Sequence, residues 1–225
     1  MASAFIAPLT AVIVAVCVSW AVVAARKPKA GVAPWVFAAA WITLPSLVAL
    51  SGVLQDFSSF PPPMMLMLVA VFVAGLSFTF SPWGSAILNH FSTAELIGFH
   101  AFRFMPEALL YTAHCEGLAP IQMSIEGRNW DALTAVLAFV IYLKWRGDQN
   151  GVPRWVTLGW SVIGIGLLVN IVSIAVLSMP TPFRSFHNEP ANTFVATFPF
   201  VLLPAVHVAA AIGGHALVLR KALRG

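Results

Sequence analysis

The sequence predicts an all-α fold, a bundle of seven transmembrane helices with the N-terminus outside and the C-terminus cytoplasmic. Three observations carry this. Hydrophobic residues make up 60% of the 225-residue chain and charged residues only 9%, where a soluble domain carries about a quarter. The mean hydropathy is +0.88. The basic residues alternate between the segments that separate the apolar runs. The whole chain, residues 1–225, reads as one integral membrane domain without a separate soluble part.

The first span covers about residues 4–25. Its leader, Met-Ala-Ser-Ala, lacks the positive stretch of a signal peptide, and Arg26, Lys27 and Lys29 follow the apolar run. That order predicts an uncleaved helix with its N-terminus outside. The second span covers 34–54, with Trp35 at its start and Asp56 beyond it. The third covers 63–80, since Pro61-Pro62-Pro63 starts a helix but cannot lie within one. Ser81 to Phe91, with Pro82, Trp83 and Gly84, predicts an interfacial turn or short surface helix.

The fourth span, 92–115, is the unusual one. It carries His100, Arg103, Glu107, Tyr111 and His114, which fall within an arc of about 80° on an ideal helix. Ala101, Phe102, Met105, Leu109 and Ala113 occupy the other side. Pro106 leaves the Phe102 carbonyl without its helical donor and predicts a kink. The fifth span, 131–145, is the shortest, and the sixth is 155–177. A polar loop with three prolines, Arg184, His187 and Glu189 precedes the seventh span, 193–219, which holds Pro199, Pro204, His207 and His215.

This count puts Arg26, Lys27, Lys29, Lys144, Arg146, Arg154, Arg220, Lys221 and Arg224 inside, and only Arg128 and Arg184 in outer loops. Such a bias sets orientation and explains the formal charge of +4 without nucleic acid. No basic patch is interleaved with aromatics. There is no Walker loop, no nucleophile elbow, and no lysine within a span to hold retinal. Paired histidines four apart on the last helix, as in zinc hydrolases of the alkaline ceramidase type, are absent. Cys17 and Cys115 fall at different depths and are expected to be free thiols.

A charge at bilayer depth costs roughly 2.5–3.5 kcal/mol on insertion scales unless it is paired or hydrated. Arg103 and Glu107 are i, i+4 neighbours and can pair along one helix. Two readings stand: a structural ion pair, or a site in which Arg103 binds an anion and Glu107 or His100 moves a proton. The candidate catalytic residues are therefore Glu107 and His100. The candidate binding residues are Arg103, Tyr111, His114, Asp131, His187, Glu189 and His207, an intramembrane site with a polar outer mouth. The expected ligand is a hydrophobic or lipid-like acidic small molecule in contact with membrane lipids. Haem b between His100 and His207 is the alternative cofactor, which would make the protein an electron carrier. A non-catalytic subunit of a larger membrane complex is the third reading, with the polar stripe as interhelical glue. His207 and His215 lie ~12 Å apart along an ideal axis, too far to share one metal. Ala209-xxx-Gly213 and Ala210-xxx-Gly214 predict close helix contacts, and Gly164 and Gly166 do so on the sixth span.

The C-terminal half resembles a group of small bacterial multi-pass inner-membrane proteins. The shared features are Phe102-Arg103, then Gly117-Leu118-Ala119-Pro120, then Asp131, then Pro199, Pro204 and His215 before Arg220 and Lys221. The resemblance implies a bacterial inner membrane and directs attention to Arg103 and Asp131. It implies no activity.

Overall fold

A computed structural model describes residues 1–148 and 151–224. It is helical, with no strand among these residues. Five helical segments among them are long and apolar enough to cross a membrane: Ala2–Arg26, Ala33–Leu50, Pro63–Phe80, Arg154–Leu177 and Leu203–Arg224. They are compatible with a membrane-embedded protein. The first three are α1, α2 and α3. The chain then forms α4 (Pro82–His90), α5 (Thr93–Phe99), α6 (Phe104–Cys115), α7 (Ala132–Trp145), α8 (Arg154–Leu177) and α9 (Ala209–Arg224).

The helix starts follow local chemistry. The Ser81 hydroxyl accepts from the Trp83 and Gly84 amides at the head of α4. Ser92 and Glu95 form a reciprocal capping box at the head of α5: the Glu95 amide donates to Ser92 Oγ at 3.2 Å and the Ser92 amide to Glu95 Oε2 at 2.7 Å.

Two expected spans are interrupted. The stretch 92–115 is not one helix: α5 passes into a 3-10 turn, His100–Arg103, before α6 begins. Pro106 consequently sits in the first turn of α6, where no amide donor is needed. The conformational break precedes the proline, over the residues whose carbonyls it would have left unpartnered. The stretch 193–219 opens with a short 3-10 helix, Phe194–Ala196, and its continuous helix begins only near Leu203, through a wide π turn over Leu203–Val208. Pro199 lies in the turn before it, and Pro204 falls at the start of the wide turn.

The segment ending in α9 is the centre of the bundle. Of its most apolar window 72% is buried, against 22–39% for the other four long segments. Small residues allow this. A Cβ on Gly75 of α3 would come within 2.7 Å of the Ala209 carbonyl oxygen. On the same face Thr79 Oγ1 donates to the Gly213 carbonyl at 3.0 Å. The Ala209-xxx-Gly213 pattern thus marks a real close crossing. Gly166, by contrast, faces open space. Gly75→Ala is expected to destabilise the protein by about 1–3 kcal/mol and Gly166→Ala to be close to neutral; thermal unfolding of both variants in detergent checks the contrast.

Candidate functional site

Arg103 closes the 3-10 turn between α5 and α6, and its side chain is 1% exposed. Its guanidinium is not paired with Glu107. Nε donates to Asp131 Oδ2 at 2.8 Å and Nη2 donates to Asp131 Oδ1, a bidentate pair. Nη1 donates to the Gly164 carbonyl at 3.2 Å and meets His215 Nε2 at 3.0 Å. Four of the five guanidinium hydrogens are thereby engaged. The i, i+4 pairing expected from the sequence fails because the backbone at residues 100–103 winds more tightly than an α-helix, which rotates Arg103 away from the α6 face.

Asp131 precedes α7 and makes no cap to the helix; both carboxylate oxygens serve Arg103. Its own amide donates to Asn129 Oδ1 at 3.1 Å. The Asn129 side chain then turns the other way, donating to Glu107 Oε2 at 2.7 Å and to the Met123 carbonyl at 3.0 Å. Glu107 is 8% exposed, and that amide is its polar partner. One short loop thus holds an ion pair on one side and a lone carboxylate on the other.

His215 reaches Arg103 from α9. Because arginine only donates, His215 Nε2 accepts and the ring proton sits on Nδ1. Gly164 of α8 makes room: a Cβ there would lie 2.5 Å from His215 Cε1. Gly214 does the same for His100, whose Nε2 would be 2.5 Å from an added Cβ. The two imidazoles lie 4.2 Å apart between centroids, and Trp160 packs on both at 4.9 and 4.7 Å. Both nitrogens of His100, His215 Nδ1, Thr134 Oγ1 and Ser161 Oγ are buried without a well-formed hydrogen bond. A group carrying both donors and acceptors would find ready partners there.

A cavity of about 80 Å³ adjoins the cluster. Arg103, Glu107, Asp131 and His207 lie along one side of it, and Met64, Leu168 and Leu203 are among its apolar walls. Its volume is that of about two to three waters, or of the end of a larger molecule.

Of the residues singled out in the sequence, Arg103, Glu107, Asp131 and His207 line this cavity, and His100 joins through His215. The others stand apart. Tyr111 is 42% exposed on the outer face of α6. His114 Nδ1 meets the Ala119 carbonyl at 3.1 Å and fastens a turn, with Glu126 at 3.9 Å from Nε2. His187 is exposed. Glu189 accepts from Arg184 Nη2 at 2.9 Å and from the Ala191 amide at 2.8 Å, which hold its carboxyl below the usual carboxylate range. It is a loop staple and does not line the cavity that Glu107 borders. His215 and Trp160 belong to the cluster although the sequence gives them no role in the site, and Asn129, which the sequence places in the polar outer mouth, sits at its centre. Gly164 and Gly214, read as small-residue contacts, were the available signals for the two histidines.

Haem between His100 and His207 does not fit this arrangement. His207 Nε2 meets Thr10 Oγ1 at 3.0 Å and Nδ1 meets the Leu202 carbonyl at 3.3 Å, so both ring nitrogens are committed. The Phe102 ring lies against both imidazoles, with centroids 6.2 and 6.3 Å away. No group of three or more His, Cys, Asp or Glu placed to hold a metal ion occurs among the described residues.

Residues 61–223 match the profile of a family described as a domain of unknown function, DUF8737. The chain belongs to the DUF8737 family. The match spans α3 to α9 and so includes every residue of the cluster from His100 to His215. The first two helices lie outside it, Thr10 among them. No curated protein and no solved structure matches the chain.

Within this DUF8737 region, breaking the buried pair from one side leaves a charge without its partner. Arg103→Ala or Asp131→Asn is therefore expected to cost about 3–5 kcal/mol. Glu107→Gln, which keeps an acceptor for Asn129, is expected to cost about 1 kcal/mol or less. A double-mutant cycle in reversible detergent unfolding should give strong coupling between 103 and 131 and little between 103 and 107.

Proposed function

We propose that the protein is a seven-span protein of a bacterial inner membrane, N-terminus outside and C-terminus cytoplasmic, that binds the polar end of a hydrophobic, lipid-like small molecule at Glu107. The observation that carries this reading is the lone carboxylate: Glu107 has one oxygen on Asn129 and borders the apolar cavity together with the Arg103–Asp131 pair. A buried carboxylate with spare acceptor capacity favours a donor. The ligand group is then a hydroxyl, an amine, or an acid entering in its protonated form. A free anion would have to displace Asp131 from Arg103, so recognition of acidity runs through Glu107 instead of an arginine clamp. Glu107 is also the group best placed to take or return a proton, should the ligand be transformed.

The topology supports the reading. The ends of α1, α7 and α9, which carry Arg26, Lys144 with Arg146, and Lys221, meet in one apolar cluster that includes Ala25, Trp145 and Val218, where a cytoplasmic face would put them. Counting α7 and the broken α5–α6 hairpin-free crossing with the five long segments gives seven.

Mass spectrometry of small molecules co-purifying with the full chain tests the proposal. A hydrophobic species bearing a donor group should accompany the wild type and fall at least about tenfold in Glu107→Gln, a loss equal to one charge-assisted hydrogen bond. The folded yield should be unchanged. Equal recovery of the same species from both proteins would leave Glu107 without the assigned role.

A further inference from the structure

A second and much larger cavity, about 820 Å³, lies elsewhere in the bundle. It falls in the volume range of small-molecule pockets, roughly 300–1,000 Å³. Its walls come from residues 17–21 of α1, 37–44 of α2, 74–78 of α3, 95–99 of α5 with Ala101 just beyond, 139–142 of α7 and 209–217 of α9. These are the halves of the helices that run toward Arg26, Arg146 and Lys221. Apolar side chains such as Phe37, Leu44 and Phe91 make up most of the wall, and Glu95 is its one acidic member.

Two cations are fixed against that wall. Lys221 Nζ donates to the Leu88 carbonyl at 2.8 Å and also to the Phe91 carbonyl, and Phe91 is a wall residue. An ammonium has three donors, which leaves one free. The Arg146 guanidinium lies over the ring of Tyr142, 5.9 Å from its centroid, and Tyr142 is also a wall residue. Glu95 is held in its capping box with Ser92, and its charge also acts on Lys221. An apolar chamber with a basic side chain in contact with each of two wall residues, Phe91 and Tyr142, is complementary to a lipid with a negative headgroup.

We infer that this chamber holds the acyl chains of one anionic phospholipid, with its phosphate between Lys221 and Arg146. The site is separate from Glu107 and shares no wall residue with the smaller cavity. Each cation near a headgroup contributes roughly a fivefold preference for the anionic lipid.

Cys17 is on the wall and exposed, and the other free thiol is Cys115. In a Cys115→Ser background Cys17 therefore reports on the chamber. The full chain is reconstituted with equal parts of dioleoyl phosphatidylglycerol and dioleoyl phosphatidylcholine, re-extracted in mild detergent, and analysed by native mass spectrometry. The expected result is one retained phosphatidylglycerol per chain, with Cys17 slow toward a maleimide. Arg146→Gln, at an exposed position, should cut the preference about fivefold while leaving the helical content intact, and Lys221→Gln should act likewise. Ala74→Trp, which intrudes into the chamber from α3, should reduce retention of either lipid. Glu107→Gln should change none of this, which separates the two sites. Equal retention of both lipids, a preference unmoved by Arg146→Gln, or a second copy of the chain protecting Cys17 would each overturn the inference.

Discussion

The bidentate contact between Arg103 and Asp131 is the constraint on which much of the interior depends. Two opposite charges buried to 1% and 4% exposure are costly to desolvate. They persist because the geometry engages both carboxylate oxygens and the guanidinium edge facing them. The remaining donors bind the next two helices: the Gly164 carbonyl on α8 and His215 on α9. One side chain therefore joins the α5–α6 turn, α7, α8 and α9. Several local features are consequences. Asp131 gives up the capping role its position before α7 would suit. Gly164 has no side chain because His215 occupies that space. The 3-10 turn at 100–103 rotates Arg103 off the α6 face and onto α7.

The interior holds two cavities with no wall residue in common. Arg103, Glu107, Asp131 and His207 border the small one, and Gly214, against which His100 packs, is on the wall of the large one. Each has its own polar logic. The small cavity has a carboxylate with acceptor capacity left over. The large chamber has mainly apolar walls. A molecule that suits one is poorly matched to the other.

Much of the fold was legible in the sequence because membrane helices are written in composition. The spans 63–80 and 155–177 lie within one residue of α3 and α8, since prolines and basic residues bound them. The Ala209-xxx-Gly213 pattern correctly marked the closest crossing. The site was legible only in part. The 80° arc assumed an unbroken α-helix, and a single tight turn was enough to exchange Glu107 for Asp131 as the partner of Arg103. The sequence marks Asp131 as the start of the fifth span and a binding candidate, and the resemblance directs attention to it with Arg103; nothing local announces a contact between them across 28 positions. The spacing of His215 from His207 forbids a shared metal but says nothing about an arginine partner. His114, His187 and Glu189 looked functional through charge in outer loops, where hydrogen bonds to neighbouring backbone account for His114 and Glu189.

Glu107 is the residue for which packing gives the least account. Arg103 and Asp131 satisfy each other, His207 is held by Thr10 and Leu202, and His215 is anchored by Arg103. Asn129 would be nearly as well served by a glutamine at 107, which offers the same acceptor without the desolvation cost of an ionised group. A carboxyl retained at that depth, beside an apolar space and next to a pair that is already neutral, adds an ionisable group that the scaffold does not need. Ionisable groups retained within a membrane-spanning bundle are characteristic of sites that meet a ligand or a proton. Among the carboxylates of the interior, Asp131 has both oxygens on Arg103, whereas Glu107 has one on Asn129 and borders the cavity.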